Sequence, residues 1–430
     1  MKRTTTTRLG TAVAVLTAAA LAAPTAVAAP QVPADDATPG APAALDEDHR
    51  LNREVARAAQ DAQVRLKGTP PGRATPATDA LDAGMAKVVA DGAVGVTVRV
   101  DSPGLTWRGS AGVRDVGAKS PAGWQDRFRV ASNTKTMVAT LVLQEVERGS
   151  WTLDTRVEDV IPGLFPDHPD VTIRQLLSHT SGAPNGTLEL FMLHLTDGSI
   201  EDQQRILARD YEDQEHIDAI NAVPWTEPGQ FFYSNAGYVA LGMLLEAQTG
   251  RTVGDLLAER VFAPAGMRHS SYPDDAGVNG PFLREDAWVG EGWTADGWMD
   301  LDGFDPDFFS HAGAAVSTTA DLNAFNEALL TGELVDPALL QEMMTPAAEG
   351  PILYGLGLYA VADPCSVDPT QPDLLWGHDG ASYGTQSVVL GSLDGTRQLS
   401  LGVTGRDLSG EVPRWDLNDV LVPALMATCS

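Results

Sequence analysis

The chain has 430 residues, 43% of them apolar, and carries 58 acidic against 29 basic side chains, a formal charge of −29 at neutral pH. So strong a negative balance argues against nucleic acid as a partner and, by itself, reads as solubility outside the cell. Neither of the two cysteines sits in a metal-type pair.

Lys2, Arg3 and Arg8 precede an apolar stretch from Leu9 to Ala23, and Ala26-Val27-Ala28 offers a small-x-small cleavage site. This pattern predicts a signal peptide over 1–28, too short for a comfortable transmembrane helix and removed on export. The mature chain would then hold 26 basic and 58 acidic residues, a charge of −32, and would be a secreted, soluble protein with no membrane anchor. Residues 29–46, rich in Ala, Pro and Asp, read as disordered or as a pro-segment, Asp48 to Lys67 as a polar helix, and Thr69 to Thr78 as a Pro-rich linker. The catalytic region is expected over 79–430. It opens with a helix in ALDAGMAKVVADG, followed by alternating strands in VGVTVRVDS and LTWRGSAGVRD.

Ser132-Asn133-Thr134-Lys135 lies where an amphipathic helix begins, in FRVASNTKTMVATLVLQEVERG. Three residues apart on a helix, the hydroxyl and the amine share one face. A serine at a helix N-terminus beside a lysine has a local base and a positive end for developing negative charge, which is equipment for acyl transfer. Taken alone the spacing is weak, since a capping serine followed by a solvated lysine looks the same. Two further elements follow. Tyr233-Ser234-Asn235 precedes another helical pattern and, in an extended turn, sends a phenol and an amide to one side. His378-Asp379-Gly380 opens a strand-like run in which Gly380 and Gly384 permit close backbone approach, suiting a substrate along a strand edge.

In this order the three elements resemble the penicillin-recognising serine hydrolases, specifically the branch holding D-alanyl-D-alanine carboxypeptidases and class C β-lactamases. Tyr-Ser-Asn and His-x-Gly are similar to the DD-peptidase side of that branch. The resemblance extends through QLLSHTSG (Gln175 to Gly182), AGAAVSTTADLNAFNEALLTGEL (Ala312 to Leu334) and LYGLGLY (Leu353 to Tyr359), covering roughly residues 80 to 430. It implies an α/β (α+β) fold, an antiparallel sheet flanked by helices, with an all-helical insertion at about 160–300 and the site in the cleft between them. The strand patterns at 94–114 and 353–404 agree with such a sheet.

The resemblance also implies roles. Ser132 is the expected nucleophile, with the base role divided between Lys135 and Tyr233. His378 would polarise Tyr233 from the opposite wall, and Asn235 would bind the substrate's acyl-side amide. Gly380 and Ala381 would border the substrate, with the backbone N–H groups of Ser132 and Ala381 as the oxyanion donors. Cys365 and Cys429 match the positions of a disulfide in DD-peptidases of this branch. His179 and His311 read as structural or cleft-lining. No metal or other cofactor is expected, and the protein is expected to act as a monomer on a small peptide, amide or ester.

One departure bears on specificity. Where a DD-peptidase of this branch has a hydroxyl that helps dock the substrate's terminal carboxylate, this chain has Asp379, and Tyr359 stands where an Arg would follow YGLGL. A carboxylate facing a carboxylate is unfavourable. The expectation is therefore a serine hydrolase resembling a D-Ala-D-Ala carboxypeptidase. The alternatives on the same scaffold are an esterase, a D-aminopeptidase or amidase, or a β-lactamase, and beyond these a non-catalytic penicillin-fold binding protein.

Overall fold

Val96, Val98 and Val100 alternate on one strand and Leu399, Leu401 and Val403 on the strand it pairs with, while Thr97 and Ser400 are buried on the opposite face, so helices must cover both sides of the sheet. In the computed structural model, residues 47–68, 77–117, 119–292, 294–348, 352–368, 370–409 and 413–430 are described. The expected signal peptide, the 29–46 segment and most of the 69–78 linker lie outside them. The chain begins with α1 (Glu47–Gly68), α2 (Ala77–Asp91), β1 (Gly95–Ser102), β2 (Leu105–Gly112), β3 (Phe128–Arg129) and α3 (Asn133–Glu147). It continues through α4 (Ile173–Leu177), α5 (Thr187–His194), α6 (Ile200–Leu207), α7 (Asp213–Asn221), α8 (Asn235–Thr249), α9 (Val253–Leu257), β4 (Asp286–Trp288), β5 (Trp298–Asp300) and β6 (Val316–Ser317). The last third holds α10 (Thr319–Leu330), α11 (Pro337–Met343), β7 (Leu353–Tyr354), β8 (Tyr359–Ala362), β9 (Leu374–Ala381), β10 (Thr385–Ser392), β11 (Gln398–Thr404), β12 (Arg406–Asp407) and α12 (Asn418–Ala427).

Seven strands form the main antiparallel sheet in the order β2-β1-β11-β10-β9-β8-β7. One face carries α1, α2 and α12 over a core that includes Val98, Val388, Leu401 and Leu421. The other packs on α3 and α10, whose core continues into the helices of the insertion. The antiparallel sheet flanked by helices is thus as expected. The insertion is not all-helical, however. Its last part folds as the β4–β5 hairpin, because Trp288 and Trp298 meet edge to face with ring centroids 5.4 Å apart and Gly297 takes a φ of +79° against the Trp288 ring.

The helix expected at 48–67 is present as α1, and it is not a free polar element. Leu51, Val55, Ala58, Ala59 and Ala62 recur at helical spacing and are buried against α12, β8 and β9. At the other end of the chain, Cys365 and Cys429 form a disulfide with Cα atoms 5.3 Å apart, tying the loop before β9 to the end of α12.

Candidate active site

Between β3 and α3 the chain turns through Ala131, held at φ +46°, a region uncommon for a residue with a side chain. The turn delivers Ser132 to the N-cap of α3. Its hydroxyl makes no capping bond. Instead Lys135 Nζ lies 2.9 Å from Ser132 Oγ, so the pair has the arrangement that acyl transfer needs and not that of a capped helix with a solvated lysine.

Lys135 is buried, and its amine is held by three separate elements. Besides Ser132 it donates to Asn235 Oδ1 at 2.6 Å, from the first turn of α8, and to Ala312 O at 3.0 Å, from the turn preceding β6. Its Nζ also sits over the Tyr233 ring, 4.8 Å from the centroid. Asn235 is expected to face substrate, yet its amide nitrogen is engaged by the protein, donating to Thr187 Oγ1 at 2.8 Å and to Asn185 Oδ1 at 3.2 Å. It acts here as the link that holds the lysine. Ser234, between the two expected site residues, caps α8 by accepting from Gly237 N–H and donates to Pro184 O.

His378 has a different partner from the one expected. Its Nε2 lies 2.9 Å from Tyr354 Oη and its Nδ1 2.5 Å from the Asp379 carbonyl, while the same Tyr354 hydroxyl lies 3.1 Å from His179 Nε2. The direction of this chain follows from its ends. Ser234 N–H can only donate, so His179 Nδ1 accepts at 3.1 Å and the proton of a neutral ring is on Nε2. The Asp379 carbonyl can only accept, so His378 carries its proton on Nδ1 and takes the Tyr354 hydroxyl proton at Nε2. Burial, reinforced by the Lys135 charge, pushes the His378 pKa down to about 3, so this ring is neutral at working pH. The same burial holds Tyr354 protonated. His378 is therefore linked toward Tyr233 through Tyr354, whose ring meets the Tyr233 ring edge to face at 6.4 Å and whose hydroxyl meets His179.

His179, expected to be structural or cleft-lining, is a structural support of Tyr233. It accepts from Phe232 N–H through its own carbonyl at 2.7 Å, from Ser234 N–H through Nδ1, and its ring lies tilted against the Tyr233 ring with centroids 4.2 Å apart. It does so at φ +57°. QLLSHTSG and LYGLGLY were legible as shared segments, but nothing in either string says that His179 and Tyr354, 175 residues apart, meet.

β9 forms the opposite wall. A Cβ on Gly380 would collide with Val130 O and lie 3.0 Å from Ser132 N, so only glycine lets this strand approach the nucleophile turn. β8 pairs with Leu374 to Gly377 only, leaving the last part of β9 open on that edge. Because Ser382 N–H bonds to Thr385 O, residues 382 and 385 form a hydrogen-bonded pair and 381 faces 386 as a non-hydrogen-bonded one. The Ala381 N–H thus points out of the open edge. Asp379 alternates to the other face of β9, where its Oδ1 accepts from Asn52 of α1, beneath full burial.

One further group of titratable residues lies behind the site. Among the described residues, Asp213, Glu246 and His311 bring ligand-type atoms within 4.8 Å of one another. Both His311 nitrogens are already engaged, Nε2 with Asp213 Oδ2 at 2.9 Å and Nδ1 with Tyr272 Oη at 2.7 Å. Burial opposes a charge on His311, but Asp213 outweighs it and raises the pKa, so the group reads as an ion pair bracing the turn that presents Ala312 O to Lys135.

The family model for Beta-lactamase matches residues 50–400 of the chain. The chain belongs to the beta-lactamase family. Among its curated relatives are the putative penicillin-binding protein PbpX of Bacillus subtilis, 26% identical over 54% of this chain and 53% of the relative, and Esterase EstB of Burkholderia gladioli, 31% identical over 42% and 47%. The chain spans about half the length of these relatives. Likeness to solved structures runs further. The D-stereospecific amidohydrolase from a Streptomyces species is 28% identical over 81% of this chain and 98% of its own, with a TM-score of 0.69. The D-amino acid amidase of Ochrobactrum anthropi SV3, complexed with D-phenylalanine, is 26% identical over 82% and 99%, with a TM-score of 0.68. This beta-lactamase-family chain therefore has the fold of serine hydrolases that include penicillin-binding proteins, an esterase and amidases.

Proposed function

We propose that the protein is a secreted serine hydrolase that forms an acyl-enzyme at Ser132 and acts on D-amino-acid amides or peptides. The observation that carries the reading is the Ser132 Oγ to Lys135 Nζ contact at 2.9 Å, made by a serine that does not cap its helix. Ala312 O and Asn235 Oδ1 can only accept, so they fix two of the lysine N–H bonds. The link to Ser132 is free to run either way, as N–H to oxygen or as O–H to the amine lone pair. In the second state the lysine takes the serine proton as Oγ attacks the carbonyl carbon. The oxyanion forms between the Ser132 and Ala381 N–H groups. Tyr233, over the lysine, passes a proton to the departing amine as the C–N bond breaks, and water then releases the acid from Ser132.

Similarity over nearly the full length of D-amino-acid-acting amidohydrolases supports the amidase reading over carboxypeptidase or β-lactamase activity. Similarity to an esterase keeps activated esters within reach of the same acylation step. No cofactor enters these steps. Hydrolysis of D-phenylalaninamide, its L-enantiomer, acyl-D-Ala-D-Ala, a cephalosporin and a short-chain ester, compared at one pH, tests the reading. D-amide turnover above the others is expected, and turnover of acyl-D-Ala-D-Ala alone would overturn it. Export is tested separately by N-terminal sequencing of culture-medium protein, which should begin after Ala28.

A further inference from the structure

We infer that α1, although it precedes the catalytic region in sequence, is part of the active-site wall. Its Asn52 is a positioning residue that, by holding Asp379, sets the discrimination against substrates with a free carboxylate on the leaving side. The inference rests on the amidase reading and adds the residues responsible for it.

Four observations carry it. The first is that α1 is docked, since its Leu51, Val55, Ala58, Ala59 and Ala62 are buried against α12, β8 and β9. The second is that Asn52 lies in this apolar face at 1% exposure, a costly position for an amide unless it is hydrogen-bonded, and its Nδ2 donates to Asp379 Oδ1 across 327 residues of sequence. The third is that Asp379 is adjacent to Gly380, the residue pressed against the Ser132 turn, on the stretch of β9 that β8 leaves open. The fourth is Tyr359, opposite Gly377 on β8 and fully buried, whose ionisation is suppressed by burial and by the Asp379 carboxyl beside it.

Together Asn52, Asp379 and Tyr359 occupy the flank of β9 next to the catalytic turn with a carboxyl group of the protein's own. A substrate carboxylate arriving along the open edge meets that group at short range in a poorly solvated wall, whereas an amide or ester does not. Asn52 matters because its amide, donating to Asp379 Oδ1, fixes where that carboxyl sits on the flank of β9. Removing the amide lets the carboxyl turn away from the open edge, and the repulsion fades.

The test is a double-mutant cycle read as the ratio of kcat/KM for two matched substrates, acyl-D-Ala-D-alaninamide and acyl-D-Ala-D-Ala. Asn52→Ala, Asp379→Asn and the double variant are compared with the parent, with Asn52→Ser as a smaller change should Asn52→Ala fold poorly. Both single variants are expected to lower the amide-to-acid ratio about tenfold or more. The double variant is expected to match Asp379→Asn in this ratio, because the other partner of Asn52, the Tyr359 hydroxyl, is protonated and carries no charge for a substrate carboxylate to meet. An unchanged ratio in Asn52→Ala or Asn52→Ser, or effects of the two sites that add, would overturn the inference. If the parent cleaves both substrates equally while Ser132 is acylated, the inference fails and the hydrolase reading stands; if neither amides nor esters acylate Ser132, the reading itself fails.

Discussion

Replacing His179 removes a residue that holds Tyr233 from behind, and the size of the effect follows from its contacts. In His179→Ala the Ser234 N–H and the Tyr354 hydroxyl, both buried, each lose a partner, at about 1–3 kcal/mol apiece. The Tyr233 ring also loses the imidazole packed against it at 4.2 Å between centroids. A shift of the phenol by ~1 Å is enough to cost about 100-fold in acylation. Asn and Gln separate the two hydrogen bonds. An Asn oxygen can stand in for Nδ1 and tolerates the left-handed backbone at φ +57°, whereas Gln reaches toward the Nε2 position but suits that backbone less well. Rapid-quench acylation by a D-amino-acid nitrophenyl ester, alongside thermal melts, should rank the variants with Asn nearest the parent, then Gln, then Ala. Acylation by His179→Ala at the parent rate, below its melting temperature, would refute the reasoning, as would rescue by Gln but not by Asn.

Other expectations follow from separate contacts. Gly380→Ala places a methyl against Val130 O and Ser132 N, so acylation should fall at least tenfold and the melting temperature should drop; a fully active, equally stable variant would show that β9 does not press on the nucleophile turn. Breaking Cys365–Cys429 releases a loop with a sequence separation of 64, worth about 4 kcal/mol in the loop-entropy account, so Cys365→Ser/Cys429→Ser should melt lower with Ser132 labelling intact at low temperature. Burial pushes the Glu285 carboxyl up to about 7, above its unfolded value, so the folded state holds the extra proton between about pH 4.5 and 7. The sign is therefore a loss of stability as pH rises through that window, about 3 kcal/mol at most from this group, and Glu285→Gln should flatten the stability-pH curve there. A curve of the same slope in Glu285→Gln would remove Glu285 as the cause.

What the sequence showed and what it hid divide along contact range. The Ser132–Lys135 pair was legible because its partners lie one helical turn apart and a helix fixes that geometry locally. The antiparallel sheet was legible from alternating strands, and the cysteine pairing from family positions. Long-range polar contacts were not. The chain from His378 through Tyr354 to His179 joins three segments whose order in sequence says nothing of their contact, and it gives His378 a structural partner in place of Tyr233. Asn235 likewise spends its amide on Asn185 and Thr187, and Asp379 meets Asn52 on a helix that the sequence marked only as polar. Even the insertion misled, because the β4–β5 hairpin is made by two tryptophans packing together, not by a strand-length run.

The most direct test of the account is intact-protein mass spectrometry followed by peptide mapping, after acid-quenching a reaction with a D-phenylalanine nitrophenyl ester. The expected result is a D-phenylalanyl adduct on Ser132, absent in Ser132→Ala and formed far more slowly in Lys135→Met. An adduct on any other residue, or turnover that persists in folded Ser132→Ala, would contradict it.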